Sequence, residues 1–360
     1  MPGDWPGLLA QPEAACQWPA IRLSASQCER SHMHKPTIAI TMGDAAGIGP
    51  EIVVKVLMDH AVYESCRPIV IGDPEVMRRN CQLLGADLCV QRIGAVGDAE
   101  PAPDRLNVLR PEGLALGEAA WGKLDPLLGQ AAALCMEEAL RQAAQGHVQG
   151  AVSAPMNKEA FRLAGYEYRD ELQYMAELTH SEGTFMLGVL RGVWTVTVTE
   201  HVPFREIADL ITRQRVLWRT LRLHETLIKL GYERQRIAVA ALNVHGGEGG
   251  LVGREEIDQI GPAIADARAR GIDAAGPVPA DTVFGRALAG EFDGVVAMYH
   301  DQANIARKLQ PMQERATLFM GLPVPWGTTA HGTAFDIAGR GVADPGSLRT
   351  ALDYVAVLSR

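Results

Sequence analysis

Residues 37–51, TIAITMGDAAGIGPE, decide the fold because they read as a strand, a glycine-rich turn and the start of a helix. The first five residues are mostly small or β-branched, and the turn contains Gly43, Gly47 and Gly49 before the helical pattern of residues 51–60. Such a turn lets a ligand approach the backbone at a helix N-terminus, where free N–H groups favour anions. The stretch is neither G-x-G-x-x-G nor a Walker loop, so a plain tight turn explains it equally well.

The alternation of strands and helices continues along the chain. Strands are predicted at residues 68–72, 150–153, 237–242 and 293–298, and helices after Asp73 and at 125–145, 204–212 and 216–230. Two further apolar runs, 185–190 and 193–199, flank a Gly-containing turn and predict a hairpin. Residues 92–118 are rich in Pro, Gly and Asp and show only weak periodicity. The alternation predicts the α/β class.

Length and composition predict a globular protein of two lobes. The 360 residues exceed one ordinary core, and the apolar share of 47% and charged share of 21% are typical of well-packed proteins. We expect residues 33–150 and 306–360 to form one lobe, and residues 151–305 to form the second, with the substrate and metal site and the dimer interface. The formal charge of −9 argues against general binding to nucleic acid or to an anionic membrane, because either needs a basic face.

The expected location is the cytoplasm. The six cysteines are scattered without a CxxC pair or zinc-ligand spacing, as is typical of a reducing compartment. No apolar run reaches the roughly 18 to 20 residues that a membrane span needs. The first 32 residues lack the pattern of a secretory signal and precede Met33, so we expect a poorly ordered extension there.

Polar residues cluster at predicted strand ends and glycine turns, where α/β enzymes place their active sites. The loop at residues 243–250, NVHGGEGG, follows an apolar strand and favours a ligand-facing role. His201 and His300 each follow a predicted strand, and neutral imidazole is the commonest metal ligand. A fourth polar stretch, residues 331–336, indicates no chemistry by itself.

Six motifs occur in an order that resembles the 4-hydroxythreonine-4-phosphate dehydrogenase family. They are TMGDAAGIGPE (41–51), SAPMNK (153–158), LNVHGGEGG (242–250), GPVPADTVF (276–284), AMYHDQ (297–302) and AHGTAFDIAGRGVAD (330–344), and the resemblance extends from about residue 36 to residue 360. It implies an isocitrate/isopropylmalate-dehydrogenase-like fold in which two α/β lobes enclose the active site. It also implies a homodimer with a shared active site, NAD or NADP as cofactor, and a divalent metal (Zn, Mg, Mn or Co) with ligands from both subunits.

The resemblance also assigns roles to individual residues. His201 and His300 match two of the family's three metal histidines, while Glu171 stands at the third position, with Asp170 as the neighbouring alternative. A carboxylate can replace imidazole as a ligand and favours a harder ion. The implied catalytic residues are Asp281, Asp301 and Lys158, and the implied cofactor-binding residues are Asn243, His245, Gly246, Glu248, His331, Thr333 and Asp336.

The implied substrate site departs from the family at three positions. Lys158 and Lys308 match its lysines, but Asn157, Thr317 and Trp326 replace a histidine, an asparagine and an arginine. Loss of an arginine that binds phosphate as a fork favours a small non-phosphorylated acid, such as a cis-dihydrodiol carboxylate whose ring would contact Trp326. A bound metal would also allow the β-keto acid product to lose CO2.

Two other functions fit the same motifs. One is the family's namesake reaction on 4-hydroxythreonine-4-phosphate in vitamin B6 (pyridoxal phosphate) synthesis, which the tryptophan at position 326 disfavours. The other is a homologue that has lost catalysis and only binds a ligand, as the missing third histidine would allow. The retained His201, His300 and Asp301 favour an NAD(P)-dependent oxidoreductase that acts on a CH–OH group.

Overall fold

The computed structural model describes residues 35–117 and 119–360, so the extension predicted for residues 1–32 lies outside the described residues. The strands are β1 (Thr37–Thr41), β2 (Arg67–Ile71), β3 (Cys89–Ile93), β4 (Arg105–Leu109), β5 (Gly150–Ser153), β6 (Phe185–Leu190), β7 (Val193–Thr197), β8 (Ile237–Ala240), β9 (Ala274–Val278), β10 (Gly294–Ala297), β11 (Arg315–Met320) and β12 (Trp326–Thr328). The helices are α1 (Gly49–Leu57), α2 (Val62–Ser65), α3 (Pro74–Leu84), α4 (Pro126–Ala144), α5 (Lys158–Leu163), α6 (Glu171–Leu178), α7 (Ile207–Leu210), α8 (Arg213–Lys229), α9 (Gly261–Ala269), α10 (Ala280–Leu288), α11 (His300–Lys308) and α12 (Gly346–Leu358).

All of these strands belong to one sheet, in the order β3-β4-β2-β1-β5-β12-β11-β6-β7-β10-β8-β9. The outer strands on each side pair in parallel, as expected for strands connected by helices. In the middle, β11 is antiparallel to both β12 and β6, and β6 is antiparallel to β7. We call β12, β11, β6 and β7 the antiparallel strip, and it joins two parallel sections into a single sheet.

The sequence patterns predict most of these elements correctly. Asp73 and Asp125 accept hydrogen bonds from backbone N–H groups at the N-termini of α3 and α4, so both helices begin at the predicted places. The predicted hairpin is β6 and β7, and Arg191 has a φ of 48° in its turn. Strand β4 lies within residues 92–118, where periodicity is weak. Strands β11 and β12 have no counterpart in the sequence-based prediction.

The glycine turn between β1 and α1 packs against two other motifs. Gly43 has a φ of 69°, and a Cβ there would lie 2.4 Å from the carbonyl oxygen of Pro155. The N–H of Ile48 donates to the carbonyl of Thr333 over 3.0 Å. The first, second and last family-like motifs therefore meet around this turn. Its glycines let the backbones of these segments pack closely against each other.

The sheet runs without a break through both predicted lobes, and the division into lobes at residues 150 and 306 stays a prediction. No helix within the described residues is long and apolar enough to cross a membrane.

Helix α4 packs directly on α5, and two helical glycines provide a matched test of that contact. A Cβ on Gly129 of α4 would lie 2.3 Å from the backbone of Ala160, whereas one on Gly285 of α10 would meet nothing within 4 Å. We expect Gly129→Ala to lower the free energy of unfolding by about 1–3 kcal/mol, because overpacking outweighs the better helix propensity of alanine. Gly285→Ala should raise it by up to about 1 kcal/mol. Urea unfolding measures both values, and equal effects would contradict the close packing at Gly129.

Candidate active site

A cleft of about 390 Å³ lies over the antiparallel strip. Part of its floor is a row formed by Thr317 of β11, Gly188 of β6 and Thr195 of β7, which are successive Cα partners across the three strands. A second cavity of about 1020 Å³ adjoins the cleft and shares His201 and Glu200 with it. Two ligands can therefore approach the neighbourhood of His201 from different sides.

His201 and His300 lie together in this cleft within a single chain. Their ring centroids are 5.6 Å apart, and each ring has its Nδ1 near a carboxylate. Nδ1 of His300 is 2.7 Å from Oδ1 of Asp301, and Nδ1 of His201 is 3.5 Å from Oδ2 of Asp170. A carboxylate at Nδ1 holds the proton there and leaves Nε2 free to donate its electron pair.

Asp170 has a structural partner in addition to His201. Its side chain caps α6 by accepting from the N–H of Gln173 over 2.9 Å. Burial raises the pKa of Asp170, but the hydrogen bonds to His201 and to Gln173 outweigh that effect and hold the pKa below its usual value. The same hydrogen bond raises the pKa of His201. Asp170 thus orients His201 and keeps its own charge.

Glu171 is the carboxylate in the cleft wall whose oxygen has no partner. Its Oε2 is buried and makes no hydrogen bond. Burial raises the pKa of Glu171 to about 7, while the cation of Lys158 opposes the rise. An unpaired buried carboxylate oxygen is costly, so this position is suited to a cation or a proton donor.

These residues fit a metal ion in part. Two imidazoles that share one ion with N–metal distances of about 2.0–2.1 Å have centroids roughly 5 Å apart, close to the spacing seen here. Across residues 35–117 and 119–360, however, no three His, Cys, Asp or Glu side chains are already gathered at one point. The set His201, His300 and Glu171 therefore stays a prediction, because the Glu171 carboxylate does not lie at one point with the two histidines in the described residues.

Cations line the remaining part of the cleft. Lys158 and Lys308, both predicted from the sequence, lie in its wall together with Arg307 and Arg315, which were not predicted. The only sequence signal for Arg307 is its place on the buried face of α11, four residues after buried Ala303. A charged residue on such a face usually has a specific partner.

Trp326 does not line the cleft, and the predicted contact between its ring and a substrate is wrong. The side chain is 0% exposed, and its Nε1 donates to Oγ of Ser153 over 2.7 Å. A buried indole with its single N–H satisfied is part of the core. Comparison with the family's motif indicated that tryptophan replaces arginine at position 326. It could not indicate that the indole would be buried in the core.

Three other predicted residues, Asn157, Asp301 and Asp281, do not line the cleft. Asn157 caps α5 by accepting from the N–H of Ala160 over 2.9 Å, so its side chain has a structural role. Asp301 is exposed and contacts the cleft only through His300. Asp281 is exposed at the start of α10 and is not among the residues around the cleft of its own chain.

The predicted cofactor loop has an unusual backbone. The five residues from His245 to Gly249 all have positive φ, including the non-glycine residues His245 and Glu248. Both Asn243 and the N–H of Leu242 are tied to the carboxylate of Glu256, which is buried. Of the seven implied cofactor residues, only His331 lines the cleft; Asn243, His245, Gly246, Glu248, Thr333 and Asp336 do not.

The sequence of the chain matches the family model described as pyridoxal phosphate biosynthetic protein PdxA over residues 64–355. The chain belongs to this family. The 4-hydroxythreonine-4-phosphate dehydrogenase of Beijerinckia indica is 43% identical over 324 residues, which cover 89% of this chain and 94% of that protein. The protein of Halalkalibacterium halodurans assigned as a D-threonate 4-phosphate dehydrogenase is 37% identical over 322 residues, 89% of this chain and 96% of that protein.

Solved structures of PdxA proteins support the same assignment. A 4-hydroxythreonine-4-phosphate dehydrogenase from Burkholderia phymatum superposes with a TM-score of 0.76 at 39% identity, covering 90% of this chain and 98% of that one. The α/β class is thereby confirmed, with the fold of a solved PdxA protein, as is the expected dehydrogenase class.

The expectation of a non-phosphorylated substrate is wrong. Relatives that are 37% and 43% identical carry names with a phosphorylated substrate. A terephthalate 1,2-cis-dihydrodiol dehydrogenase from Burkholderia xenovorans is less similar, at 28% identity and a TM-score of 0.61 over 90% of this chain and 98% of that one. The physical reason for the error is that Trp326 is buried, while four cations remain in the cleft of this PdxA protein.

The buried position of Trp326 predicts that its replacement affects stability and not substrate binding. Trp326→Phe removes the hydrogen bond to Ser153 and some buried volume, so we expect the free energy of unfolding to fall by about 1–3 kcal/mol. The KM for the substrate should stay within about twofold, since no contact to the cleft is lost. Urea unfolding and steady-state kinetics measure the two effects. A large rise in KM without loss of stability would show that the indole contacts substrate.

Proposed function

We propose that the chain oxidises a hydroxyl group of a small phosphorylated hydroxy acid, with NAD or NADP as the hydride acceptor and with a divalent metal. The substrate is of the type in the relatives' names, 4-hydroxythreonine-4-phosphate or D-threonate 4-phosphate. The observation that carries the proposal is the row of cations along one cleft, Lys158, Arg307, Lys308 and Arg315, beside the histidine pair. Guanidinium and ammonium groups are the usual partners of phosphate and carboxylate oxygens.

Different residues of the cleft hold the two ends of the substrate. Lys308, Arg307 and Arg315 hold the anionic end of the substrate, while His201 and His300 hold the end with the reacting hydroxyl. Asp170 and Asp301 keep the two imidazoles in the tautomer with Nε2 free. A bound divalent ion supplies the Lewis acidity that lowers the pKa of the hydroxyl.

Lys158 is the residue of the implied catalytic set that lines the cleft. Its ammonium group stabilises the negative charge on the substrate oxygen as the hydroxyl proton passes to solvent water, and transfer of hydride from the adjacent carbon to the nicotinamide then converts that oxygen into a carbonyl. The cofactor lies on the side of His331, which lines the cleft, and of the loop from His245 to Gly250, whose residues have positive φ.

We also propose the homodimer with a shared active site. Asp281 is exposed and lies outside the cleft of its own chain, which suits a residue that completes the site of a second subunit.

A paired substrate panel tests the proposed activity. Purified protein is supplied with NAD or NADP, a divalent ion and 4-hydroxythreonine-4-phosphate, D-threonate 4-phosphate, 4-hydroxythreonine or D-threonate, and NAD(P)H formation is followed by absorbance. We expect kcat/KM for a phosphorylated compound to exceed that for its dephosphorylated form by at least about 100-fold, because removing the phosphate leaves several charged donors unpaired. Equal turnover of the two forms would contradict a phosphorylated substrate.

The histidine pair predicts a metal dependence that can be measured without turnover. His201→Ala and His300→Ala should each weaken Mn²⁺ or Zn²⁺ binding in calorimetry and lower kcat/KM by more than about 100-fold, since loss of even an outer-shell partner costs 10–100-fold. His60→Ala, at an exposed position after α1, is the matched control and should bind metal normally. Full activity of either cleft variant after treatment with a chelator would exclude the metal mechanism.

A further inference from the structure

Arg307 is a buried cation whose recorded hydrogen bonds go to neutral groups. Its side chain lies on the inner face of α11, and the residue is only 9% exposed. In the part of the chain that the structure describes, no carboxylate makes an ion pair with it. By contrast, the half-buried Arg236 donates two hydrogen bonds to the carboxylate of Asp293. Burying a charge is costly unless an opposite charge compensates it.

Neutral groups hold the guanidinium of Arg307 in place. Its Nη1 donates to Oδ1 of Asn304, and its Nη2 donates to the carbonyl of Ala316 and to Oγ1 of Thr317, each over 2.9 Å. Nε has no partner. Arginine has five N–H donors, so these three contacts fix the plane of the group and leave the buried Nε and one hydrogen of Nη1 without an acceptor in the described residues. The contacts position the charge without forming an ion pair with it.

Gly188 provides the space in which this guanidinium lies. A Cβ on Gly188 would be 2.5 Å from both Cζ and Nε of Arg307, closer than any real contact. The backbone φ of Gly188 does not require glycine, because it is not among the positive-φ positions. The absence of a side chain at Gly188 therefore serves the packing of Arg307 against the sheet, between Thr317 and Thr195.

The surroundings favour an anionic ligand over a free cation. Burial lowers the pKa of Arg307 to about 10; the Glu200 carboxylate opposes this change, and the Arg315 cation adds to it. The Glu200 carboxylate accepts a hydrogen bond from Thr197. Arg315 and Lys308 line the same cleft. These three cations share the cleft with the carboxylates of Asp170, Glu171 and Glu200, and an anion of high charge that binds among the cations would lower their mutual repulsion.

We propose that Arg307 is the principal phosphate-binding residue of this chain and that Gly188 determines this specificity by leaving room for its guanidinium. The proposal rests on the phosphorylated substrate proposed above. A phosphate dianion supplies both the missing charge and several acceptor oxygens for the free N–H groups. Thr317 takes part by holding the Nη2 end of the group.

Three variants with two matched controls test the proposal. Arg307→Met removes the charge, Arg307→Lys keeps a charge but loses the planar fork, and Gly188→Ala leaves Arg307 in the sequence while a Cβ displaces its side chain. Arg286→Met removes an exposed arginine that is paired with Glu291, and Gly97→Ala adds a Cβ with nothing within 4 Å. For each protein we would measure kcat/KM on a phosphorylated substrate and its dephosphorylated form, and competitive inhibition by inorganic phosphate.

We expect Arg307→Met and Gly188→Ala to lose about 10- to 100-fold of the preference for the phosphorylated form, with weaker inhibition by inorganic phosphate. Turnover of the dephosphorylated form should fall by a much smaller factor than turnover of the phosphorylated form, and Arg307→Lys should lie in between. Both controls should match the original protein. If Arg307→Met does not fold, as judged by circular dichroism, the other two variants decide the question.

Two results would separate this inference from the proposed function. If the original protein prefers the phosphorylated form and the folded variants at positions 307 and 188 keep the full preference, Arg307 has only a structural role and the inference is wrong. If the original protein shows no preference and no inhibition by inorganic phosphate, the proposed function itself is wrong.

Discussion

The antiparallel strip in the middle of the sheet is the constraint on which the site depends. Each of the two parallel sections could form a separate sheet covered by its own helices. The antiparallel neighbours β11 and β6 instead join the two sections into one sheet. Side chains from opposite halves of the chain then share one face of one sheet. Thr317, Gly188 and Thr195 lie in a row there because the register of β11, β6 and β7 leaves no alternative. The helices that carry His300 and Glu171 stand over the same face.

Charge in the cleft is arranged in two different ways. Around the histidines, each positive or potentially positive group has a carboxylate nearby: Asp301 beside His300, and Asp170 beside His201. At the other end, Arg307 has only neutral acceptors. An ion pair orients a charged group but weakens its attraction for a ligand. A buried charge without an ion pair lowers the stability of the protein until a ligand of opposite charge binds. The first arrangement suits residues that must present one lone pair, and the second suits binding of an anion.

The sequence predicts those parts of the fold in which local pattern and local structure agree. The caps Asp73 and Asp125, the predicted hairpin and the strands before glycine turns are all confirmed. Strand β12 has only three residues and is defined by its partners, so local periodicity could not indicate it. The residues of the site likewise divide into those with a local sequence signal and those defined by distant contacts. Motifs indicated His201, His300 and Lys308, whereas Arg307 matters through contacts with Gly188 and Thr317 that are distant in sequence.

The pairing of β12 with β5 has a consequence for how the protein is made. The hydrogen bond between Trp326 and Ser153 joins residues that are 173 positions apart, and β11 must be present before β12 and β6 can lie in one sheet. A chain emerging from the ribosome can build much of its first parallel section early, because those partners are close to one another in sequence. The floor of the cleft, however, stays incomplete until Thr317 of β11 has been synthesised. A nascent or truncated chain would therefore expose the strand edge of β5, and substrate could not protect the protein from misfolding until synthesis was nearly complete.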